Sequence, residues 1–314
     1  MLINGWQWKP RAYGAISLCM IMRNEEKLLE RCLRSVEGLA DEIIIVDTGS
    51  TDKSIEIAKQ FGAKVISTEW KDDFATPRNI GIAQAKNPWI LIIDPDEVIA
   101  KKDHRRVREL TVSKESLAYR MDTRNYTQNV QMQGGVPNPN DYEEGQGWAG
   151  FVPSTKTRLF RRSAGLKFRG RWHEMVDYDI DKGQVRVQTC SVQVHHYGGE
   201  KSQEYLKSKR EFYLNIAELK VKDDPKNCQA WWELGVAESI SGYHNRAIRS
   251  ILLSFRQGYA NPDRLFQLAA NANAIGDKKR GRLAFEKATC MLFPNLTHYE
   301  EGLKPLSALE GHFS

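Results

Sequence analysis

The sequence predicts an α/β domain followed by an all-α tail. Over the first hundred residues, continuous apolar runs alternate with segments of helical periodicity, which is typical of a mostly parallel sheet with helices on both faces. After residue 200 the apolar residues follow helical spacing alone. A chain of 314 residues is long enough for two domains, and we expect them over residues 1–200 and 201–314.

Each element of the α/β domain is predicted from local patterns. The predicted strands are short, uniformly apolar runs, and they cover residues 15–22, 42–47, 63–67 and 89–94. The predicted helices lie between them, over residues 25–37, about 51–61, and 76–85. In the first helix the apolar residues take the i, i+3, i+4, i+7 spacing of one buried face, at Leu29, Cys32, Leu33 and Val36.

Composition excludes several classes of protein. Apolar residues make up 41% and charged residues 27% of the chain, as in globular proteins, and no run of about 18 apolar residues offers a membrane span. The N-terminal residues lack the apolar core of a secretory signal, so we expect a cytoplasmic location. The five cysteines never take the CxxC spacing, which argues against a zinc knuckle or a disulfide framework. The net charge of +6 permits an anionic partner without specifying nucleic acid.

An acidic turn follows the fourth predicted strand. The stretch IIDPDEV at residues 92–98 places Asp94, Asp96 and Glu97 directly after an apolar run, and Asp47 ends the second strand. The carboxyl ends of parallel strands meet at one edge of the sheet, where ligands bind in open α/β folds. Carboxylate oxygens suit Mg²⁺ or Mn²⁺, so the sequence predicts a divalent metal site at this edge. The alternative is an ordinary acidic turn with a proline at its bend.

Three stretches in this region resemble the nucleotide-sugar-binding half of family 2 glycosyltransferases, whose Rossmann-like fold is called GT-A. They are SLCMIMRNEEKLLERCLRSV, DEIIIVDTGSTDKSIEIA and FATPRNIGIAQAKNPWILIIDPDE, in consecutive order. The resemblance implies that Asp47 lies against the nucleotide base and that Arg78 approaches the diphosphate. It also implies that Asp94 and Asp96 form the family's DXD metal motif.

The same resemblance implies the ligands of the site. It assigns nucleotide-sugar binding to Asn24, Glu25 and Asp94, with a UDP-sugar as the donor, glucose as the hexose and Mn²⁺ or Mg²⁺ as the cofactor. Two positions depart from the family pattern, because Thr48 stands where a second aspartate is common and Pro95 occupies the middle of DXD. Neither change removes a ligand.

A basic segment downstream ends in a carboxylate. Residues 156–174 contain seven lysines and arginines before Glu174, a pattern that fits a diphosphate-facing wall followed by a general base. The segment also resembles the acceptor side of the bacterial and phage branch related to lipopolysaccharide-core glucosyltransferases. We predict that Glu174 is the catalytic base, and the alternative is a surface salt bridge to one of those arginines. A metalloprotease HExxH motif is excluded, because Asp177 stands where histidine is required.

Two further features suggest binding residues. In SVQVHHYGG at residues 191–199, strand alternation puts His195 and His196 on opposite faces, and the family resemblance makes His196 a third metal ligand or a diphosphate contact. The alternative is a histidine hydrogen-bonded in the core. Residues 131–151 form a long segment rich in Gly, Pro and Asn, in which Trp148 could stack on a sugar. A lid, a binding loop and a disordered excursion are all compatible with this segment.

The tail carries a repeat with a period of 34 residues. Six positions correspond between the two copies: Trp231, Leu234, Gly235, Ala247, Ile251 and Ser254 in the first, and Leu265, Leu268, Ala269, Gly281, Phe285 and Ala288 in the second. The pattern resembles tetratricopeptide repeats, in which antiparallel helices pack through small residues. Because about three repeats are needed for independent stability, we expect the pair to be stabilised by contacts with the first domain or with another chain, as in a homodimer.

Three functions are compatible with these features. The first is a metal-dependent inverting glycosyltransferase that uses a nucleoside diphosphate sugar and a glycan, peptide or nucleic-acid acceptor. The second keeps the fold but glycosylates a hydroxylated DNA base, with phosphate contacts from residues 156–171 and 278–282. The third is a non-catalytic scaffold whose helical tail binds peptides. The first is the leading hypothesis, and the carboxylates and the arginine of the first domain argue against the scaffold.

Overall fold

The computed structural model describes residues 13–113, 116–132, 134–172, 174–176, 185–198, 203–256 and 261–292. The chain divides into two units, Met1–Lys201 and Ser202–Ser314. We refer to them as the α/β unit and the helical unit.

The α/β unit is built on one mixed sheet. In the described residues this sheet has nine strands, namely β1 (Ile16–Met22), β2 (Glu42–Asp47), β3 (Lys64–Ser67), β4 (Trp89–Ile92), β5 (Glu97–Ile99), β6 (Ala118–Thr127), β7 (Val136–Pro137), β8 (Gly150–Arg161) and β9 (Val187–His196). Their order is β3-β2-β1-β4-β8-β6-β9-β5, and β7 pairs with β8. The α-helices in the described residues of this unit are α1 (Leu29–Ser35), α2 (Ser54–Gln60), α3 (Ala75–Gln84) and α4 (His104–Leu110).

The four strands β3-β2-β1-β4 form the parallel half of the sheet. β1 and β4 are buried along their whole length. Alternate residues of β1 point to opposite faces: Leu18 packs in the cluster that contains Leu33 of α1, whereas Cys19 packs in the cluster that contains Ala75 of α3. Burying a leucine side chain stabilises the fold by about 1.5–3 kcal/mol, so uniformly apolar strands are favourable between two helical layers. The predicted α/β class, with helices on both faces, is confirmed.

The other half of the sheet contains antiparallel pairs that the sequence did not predict. β8 runs antiparallel to β4 and to β6, β5 runs antiparallel to β9, and β6 and β9 are parallel. The reason is local, because β6 and β8 are joined through the turn-rich segment after residue 127 rather than through a crossover helix. The sheet as a whole is therefore mixed, with its parallel half at the predicted strands.

The first helix is shorter than predicted. α1 begins at Leu29 rather than at residue 25. The backbone N–H groups of Asn24, Glu25 and Glu26 donate to side chains of residues 50–54, in the loop after β2. These donors are satisfied by the neighbouring loop, so the chain before α1 follows that loop instead of starting the helix.

The described part of the 131–151 segment is tied to the sheet. The side-chain amide of Asn138 donates to the carbonyl oxygens of Gly145 (2.7 Å) and Trp148 (3.1 Å). The Nη2 of Arg124, on β6, donates to Asp141 Oδ2 at 2.8 Å. These contacts favour a fixed loop over a disordered excursion.

The helical unit contains five helices in its described residues. They are α5 (Gln203–Asp223), α6 (Cys228–Ile240), α7 (His244–Arg256), α8 (Pro262–Ala274) and α9 (Lys278–Leu292). α6 and α8 begin at residues 228 and 262, and α7 and α9 begin at residues 244 and 278, so both pairs are offset by 34 residues. The cap is repeated too, because Asn227 and Asn261 accept backbone N–H bonds at the starts of α6 and α8. The predicted 34-residue repeat is confirmed.

Small residues allow the paired helices to approach each other. A Cβ on Gly235 would lie 2.7 Å from Cγ1 of Ile251, and a Cβ on Gly281 would lie 2.2 Å from Oδ1 of Asn273. At both positions, α6 against α7 and α8 against α9, the neighbouring helix leaves no room for a larger side chain. Repeat residues such as Ile251, Leu265 and Ala288 are fully buried in the apolar seam of this unit, whereas Phe285 is largely exposed.

No helix in the described part of the chain combines the length and the hydropathy that a membrane span needs. The longest of them, α5, has 21 residues, but lysine, arginine, aspartate and glutamate residues occur along it.

Candidate active site

The acidic turn between β4 and β5 is built on a buried ion pair. Glu97 and Arg158 are each only 2% exposed. Both terminal nitrogens of Arg158 donate to the Glu97 carboxylate, with Nη1 at 2.7 Å from Oε2. Oε2 of Glu97 also accepts the backbone N–H of Asp94 at 2.9 Å. Glu97, which the sequence suggested as a possible metal ligand, is therefore occupied in shaping the turn.

Arg78 connects two of the predicted site residues. From the second turn of α3, its Nη1 donates to Asp94 Oδ1 at 2.8 Å and its Nε donates to Glu174 Oε1 at 2.5 Å. The side chains of Arg78 and Glu174 are each 11% exposed. Burial alone would lower the pKa of Arg78, but the charges of Asp94 and Glu174 outweigh it and raise the pKa. The structure thus brings three residues from distant parts of the sequence into one charged cluster.

A short turn carries Glu174 to this cluster. The backbones of Arg169 and Met175 exchange two hydrogen bonds, at 3.0 and 3.2 Å, and the turn between them contains Glu174. The alternative for Glu174 was a surface salt bridge to an arginine of residues 156–171. Its partner is instead Arg78 of α3, and the pair is largely buried.

Asp94 is held in its charged form. Burial disfavours a charged carboxylate, but the positive charges of Arg78, Arg158 and Lys156 outweigh this cost and lower the pKa of Asp94 to about 2. Asp94 is therefore a carboxylate at neutral pH, with one oxygen on Arg78 and the other 4.0 Å from Arg158 Nη1.

Asp96, two residues after Asp94 in the same turn, faces His196. Oδ2 of Asp96 lies 3.3 Å from Nε2 of His196. Nδ1 of His196 lies 2.9 Å from Oδ1 of Asn125, whose amide nitrogen donates to the Val152 carbonyl and is thereby oriented. Amide and carboxylate oxygens only accept hydrogen bonds, so Nδ1 of His196 donates to Asn125, and Nε2 faces Asp96 either with a proton or with a cation between them. Burial lowers the pKa of His196, but the hydrogen bond and the charge of Asp96 outweigh it, so the pKa is raised.

This arrangement fits a divalent cation held by Asp96 and His196. An imidazole whose Nδ1–H is bound to an oxygen and whose Nε2 points at a carboxylate has the orientation of a metal-ligating histidine. Within the described ranges, no group of three or more His, Cys, Asp and Glu side chains is arranged to hold an ion by itself. A cation here would take its other ligands from substrate and water, as Mg²⁺ commonly does. Asp94, the other predicted ligand, is engaged by Arg78.

Asp47 and Asn24 shape the loop that follows β2. The Asp47 carboxylate is buried and accepts the backbone N–H groups of Gly49 and Ser50, each at 3.1 Å. Gly49 has a φ of 105°, a conformation that glycine adopts without strain. Asn24 Oδ1 accepts the N–H of Thr51 at 2.8 Å. These contacts place both residues at the carboxyl edge of the sheet, where Met22 of β1 pairs with Asp47.

Glu25, the other binding residue predicted from the first strand's end, also contacts this loop. Its backbone N–H donates to Ser54 Oγ at 2.7 Å. Ser54 begins α2 and is fully buried. The contact joins the segment after β1 to the helix after β2, so Asn24 and Glu25 are held by the same loop.

Trp148 packs within the protein. Its ring is stacked on Tyr126 with 5.8 Å between centroids and lies 6.4 Å from the ring of Tyr197. The same apolar cluster includes Val98 and Phe151. The tryptophan is half-buried, because other side chains of this cluster cover part of its ring.

His195 and His196 have opposite environments. His195 is fully buried, and its Nδ1 lies 2.7 Å from the hydroxyl oxygen of Tyr126. Burial, assisted by the charges of Arg124 and Lys102, lowers the pKa of His195 to about 3. His195 is thus a neutral core residue, whereas the pKa of His196 is raised.

The basic residues after position 155 are dispersed. Arg158 is buried on Glu97, Arg161 Nη2 donates to the Ser113 carbonyl at 2.6 Å, and Arg162 Nε donates to the Asn87 carbonyl at 3.2 Å. They do not form the single diphosphate-facing wall that the sequence suggested. No local signal in this run distinguishes the buried arginine from the exposed ones.

Two residues at the site were not foreseen. Asn125 orients His196, and Asn79, next to Arg78, contacts the backbone of the segment that carries Glu174. Asn79 lies in the third stretch that resembles the family and follows Arg78 directly. This position next to a predicted site residue was the one feature of the sequence that pointed to it. Asn125 lies in a strand without any distinguishing pattern.

Comparison with known proteins identifies the family of the α/β unit. Residues 17–164 match the family model described as Glycosyl transferase family 2. The chain is 30% identical over 279 residues to a TPR repeat-containing protein of Synechococcus elongatus, covering 87% of this chain and 64% of that protein. It is 29% identical over 215 residues to the SPbeta prophage-derived glycosyltransferase SunS of Bacillus subtilis, covering 68% of this chain and 46% of that protein.

The chain thus spans less than two thirds of the length of either relative. A solved structure of TarS from S. aureus in complex with UDP-GlcNAc is 15% identical, with a TM-score of 0.48, and covers 88% of this chain and 91% of that chain. The family model matches the segment that carries Asp47, Arg78, Asp94 and Asp96, and residues 17–164 of this chain therefore form a glycosyl transferase family 2 domain.

Proposed function

We propose that the protein is a metal-dependent, inverting glycosyltransferase that moves a hexose from a nucleoside diphosphate sugar to an acceptor. The expected donor is a UDP-sugar and the expected hexose is glucose. The observation that carries the proposal is the position of Arg78, which holds Asp94 and Glu174 at the carboxyl edge of the sheet in a family 2 domain. A buried guanidinium that binds two carboxylates has the charge and the geometry to bind the diphosphate of a donor.

The proposed reaction uses Arg78 and Glu174 together. The acceptor's nucleophilic atom attacks the anomeric carbon on the face opposite the leaving group, and its proton passes to Glu174. The bond between the anomeric carbon and the diphosphate oxygen breaks, and its electron pair leaves with the diphosphate. Arg78 stabilises the charge that develops on that leaving group. Attack from the opposite face inverts the anomeric configuration.

Asp96 and His196 are the residues that would hold a divalent cation. When bound, Mn²⁺ or Mg²⁺ supplies positive charge that neutralises the leaving diphosphate. The chain contributes one charged and one neutral ligand, and Asn125 fixes the histidine tautomer that this binding needs. Asp94, which is already paired with Arg78, would contribute through that arginine or by exchanging partners when the donor binds.

The acceptor is proposed only as a class, namely a glycan, a peptide or a nucleic acid. The DNA alternative relied on phosphate contacts from residues 156–171 and 278–282, and the structure bears on the first of these segments. Arg158 is buried on Glu97, and Arg161 and Arg162 are bound to backbone carbonyls, so this support is weakened. The cytoplasmic location stays a prediction from the sequence.

The helical unit is proposed to recruit a macromolecular acceptor or to pair two chains in a homodimer. Large apolar side chains are exposed on it, including Ile240 at 56%, Tyr243 at 50% and Phe285 at 49%. Sedimentation and transfer assays would compare the full chain with a chain ending at Asp224. Loss of the dimer or loss of transfer supports one of the two roles, whereas unchanged mass and unchanged transfer contradict both.

The proposed activity is tested by a panel of nucleotide sugars with and without Mn²⁺. We expect slow hydrolysis of a UDP-hexose that depends on the metal, and mass spectrometry of candidate acceptors should then identify a hexose adduct. Glu174→Gln should retain donor affinity while kcat falls by about 10²–10⁴-fold, as expected for removal of a general base. Absence of turnover with every donor, or equal loss of binding and turnover in Glu174→Gln, contradicts the proposal.

A further inference from the structure

Asn79 holds the backbone of Phe168 at two points. Its Nδ2 donates to the Phe168 carbonyl oxygen at 2.9 Å, and its Oδ1 accepts the Phe168 N–H at 2.9 Å. The two residues are 89 positions apart. Using both ends of the amide on one residue fixes that residue in position and orientation, as a neighbouring strand would.

The residues after Phe168 lead directly to Glu174. Phe168 is 8% exposed, and the Arg78 guanidinium carbon lies 5.2 Å from the centroid of its ring. Arg169 follows Phe168 and exchanges two backbone hydrogen bonds with Met175. Glu174 therefore precedes Met175 of this backbone bridge, and Phe168, which Asn79 contacts, precedes Arg169 at its other side.

The helix links this anchor to the arginine of the site. Arg78 and Asn79 are consecutive on α3, so the helix directs them about 100° apart around its axis. Arg78 binds the Glu174 carboxylate, while Asn79 binds the backbone at the other end of the same turn. The segment that carries Glu174 is thus attached to one rigid helix at two separate points.

We propose that Asn79 is a positioning residue for the acceptor base: by anchoring Phe168, it sets where the Glu174 carboxylate stands relative to Arg78. This inference rests on the proposed function, in which Glu174 takes the acceptor's proton. A catalytic group must be held close to its productive geometry, and displacement by about 1 Å can cost about 100-fold in rate. Asn79 would influence the rate through Glu174, without touching the donor or the acceptor.

The test is a double-mutant cycle on hydrolysis of UDP-glucose in the presence of Mn²⁺, in which water replaces the acceptor. We expect Asn79→Ala to lower kcat by about tenfold to 100-fold. The KM for UDP-glucose should stay unchanged, because Arg78, Asp96 and His196 are intact. In the double variant with Glu174→Gln, kcat should equal that of Glu174→Gln alone, because positioning has no effect once the base is absent.

Two further variants keep the test decisive. Asn79→Ser, which is polar but too short to reach both backbone groups, is measured in parallel in case Asn79→Ala does not fold. Asn227→Ala is the matched control, since the Asn227 side chain also makes two hydrogen bonds to the backbone, accepting the N–H groups of Gln229 and Ala230 at 3.0 Å each, but lies in the helical unit. Its kcat should equal that of the wild type, and the thermal unfolding of all variants is recorded.

The possible outcomes separate the two proposals. Unchanged kcat in both Asn79 variants, or losses that multiply in the double variant, would overturn the positioning role while leaving the glycosyltransferase proposal standing. Equal losses in Asn227→Ala and Asn79→Ala would also overturn it, because they would reflect general destabilisation. If the wild type hydrolyses no nucleotide sugar, the proposed function itself fails.

Discussion

The Nε of Arg78 lies 2.5 Å from Oε1 of Glu174, although the two residues are 96 positions apart in the sequence. The same guanidinium binds Asp94, so one cation forms ion pairs with two carboxylates in a largely buried cluster. A buried charge without a partner is costly, so removing Arg78 would leave the Asp94 and Glu174 carboxylates without the cation that they share. A diphosphate entering the site would compete with these carboxylates for Arg78.

Replacing Arg78 should weaken donor binding. Arg78→Ala removes the cation proposed to contact the diphosphate, and charge-assisted hydrogen bonds contribute about 1.5–3 kcal/mol, so UDP affinity should fall by about tenfold to 100-fold. Calorimetric titration with UDP measures the change. Arg105→Ala is the matched control, because Arg105 is 84% exposed and pairs with Glu109 in the same helix. Equal affinities in the two variants would remove Arg78 from the donor site.

Replacing Asp96 should remove the metal dependence of UDP binding. Asp96→Ala deletes the charged partner of His196, so we expect added Mn²⁺ no longer to strengthen UDP binding, while the weak binding without metal persists. Calorimetry with and without Mn²⁺ tests this expectation. Glu174→Gln alters another carboxylate of the same site and should keep the metal effect. Retention of the full Mn²⁺ effect in Asp96→Ala would show that the cation is held elsewhere.

Breaking the buried pair beneath the turn should destabilise the fold. Arg158→Met leaves the Glu97 carboxylate buried without its cation, for which we expect a loss of about 3–5 kcal/mol in the free energy of unfolding. Urea unfolding provides the measurement. Arg34→Met, whose side chain is 62% exposed beside Glu30, should change stability little. A similar small effect in Arg158→Met would mean that the buried pair contributes no net stability.

His195 should make the protein less stable in mild acid. Its pKa is lowered from 6.5 to about 3 in the folded chain, so below pH 6.5 the unfolded chain binds a proton that the folded chain refuses. Its contribution to stability is therefore complete above that pH and declines as the pH falls toward 3, with a slope of at most about 1.4 kcal/mol per pH unit.

The measurement is urea unfolding at pH 6 and pH 5. Between these two values the wild type should lose about 1 kcal/mol more than His195→Phe, which keeps an aromatic ring but cannot titrate. Tyr126→Phe removes the hydrogen-bond partner of His195 and keeps the titrating group, so its pH dependence should match the wild type. Identical pH dependence in the wild type and in His195→Phe would contradict the lowered pKa.

Local sequence patterns were sufficient to predict the parallel half of the sheet and the edge where the candidate site lies. Apolar runs and helical spacing are local patterns, and they predicted β1 to β4 to within two residues at each end. The rule that parallel strands present their carboxyl ends at one edge then brought Asp47 and Asp94 together in the prediction. The 34-residue repeat was predictable for the same reason, because its period is written in the spacing of apolar and small residues.

The pairing of the charged residues could not be predicted and became known from the folded structure. Asp94, Asp96 and Glu97 look equivalent in the sequence, yet one binds Arg78, one faces His196 and one is buried on Arg158. The antiparallel strands and the packing of Trp148 also depend on contacts that the sequence patterns did not predict. The physical reason is that burial and ion pairing depend on contacts between residues far apart in the chain. A local sequence pattern does not indicate which distant residue a given side chain contacts.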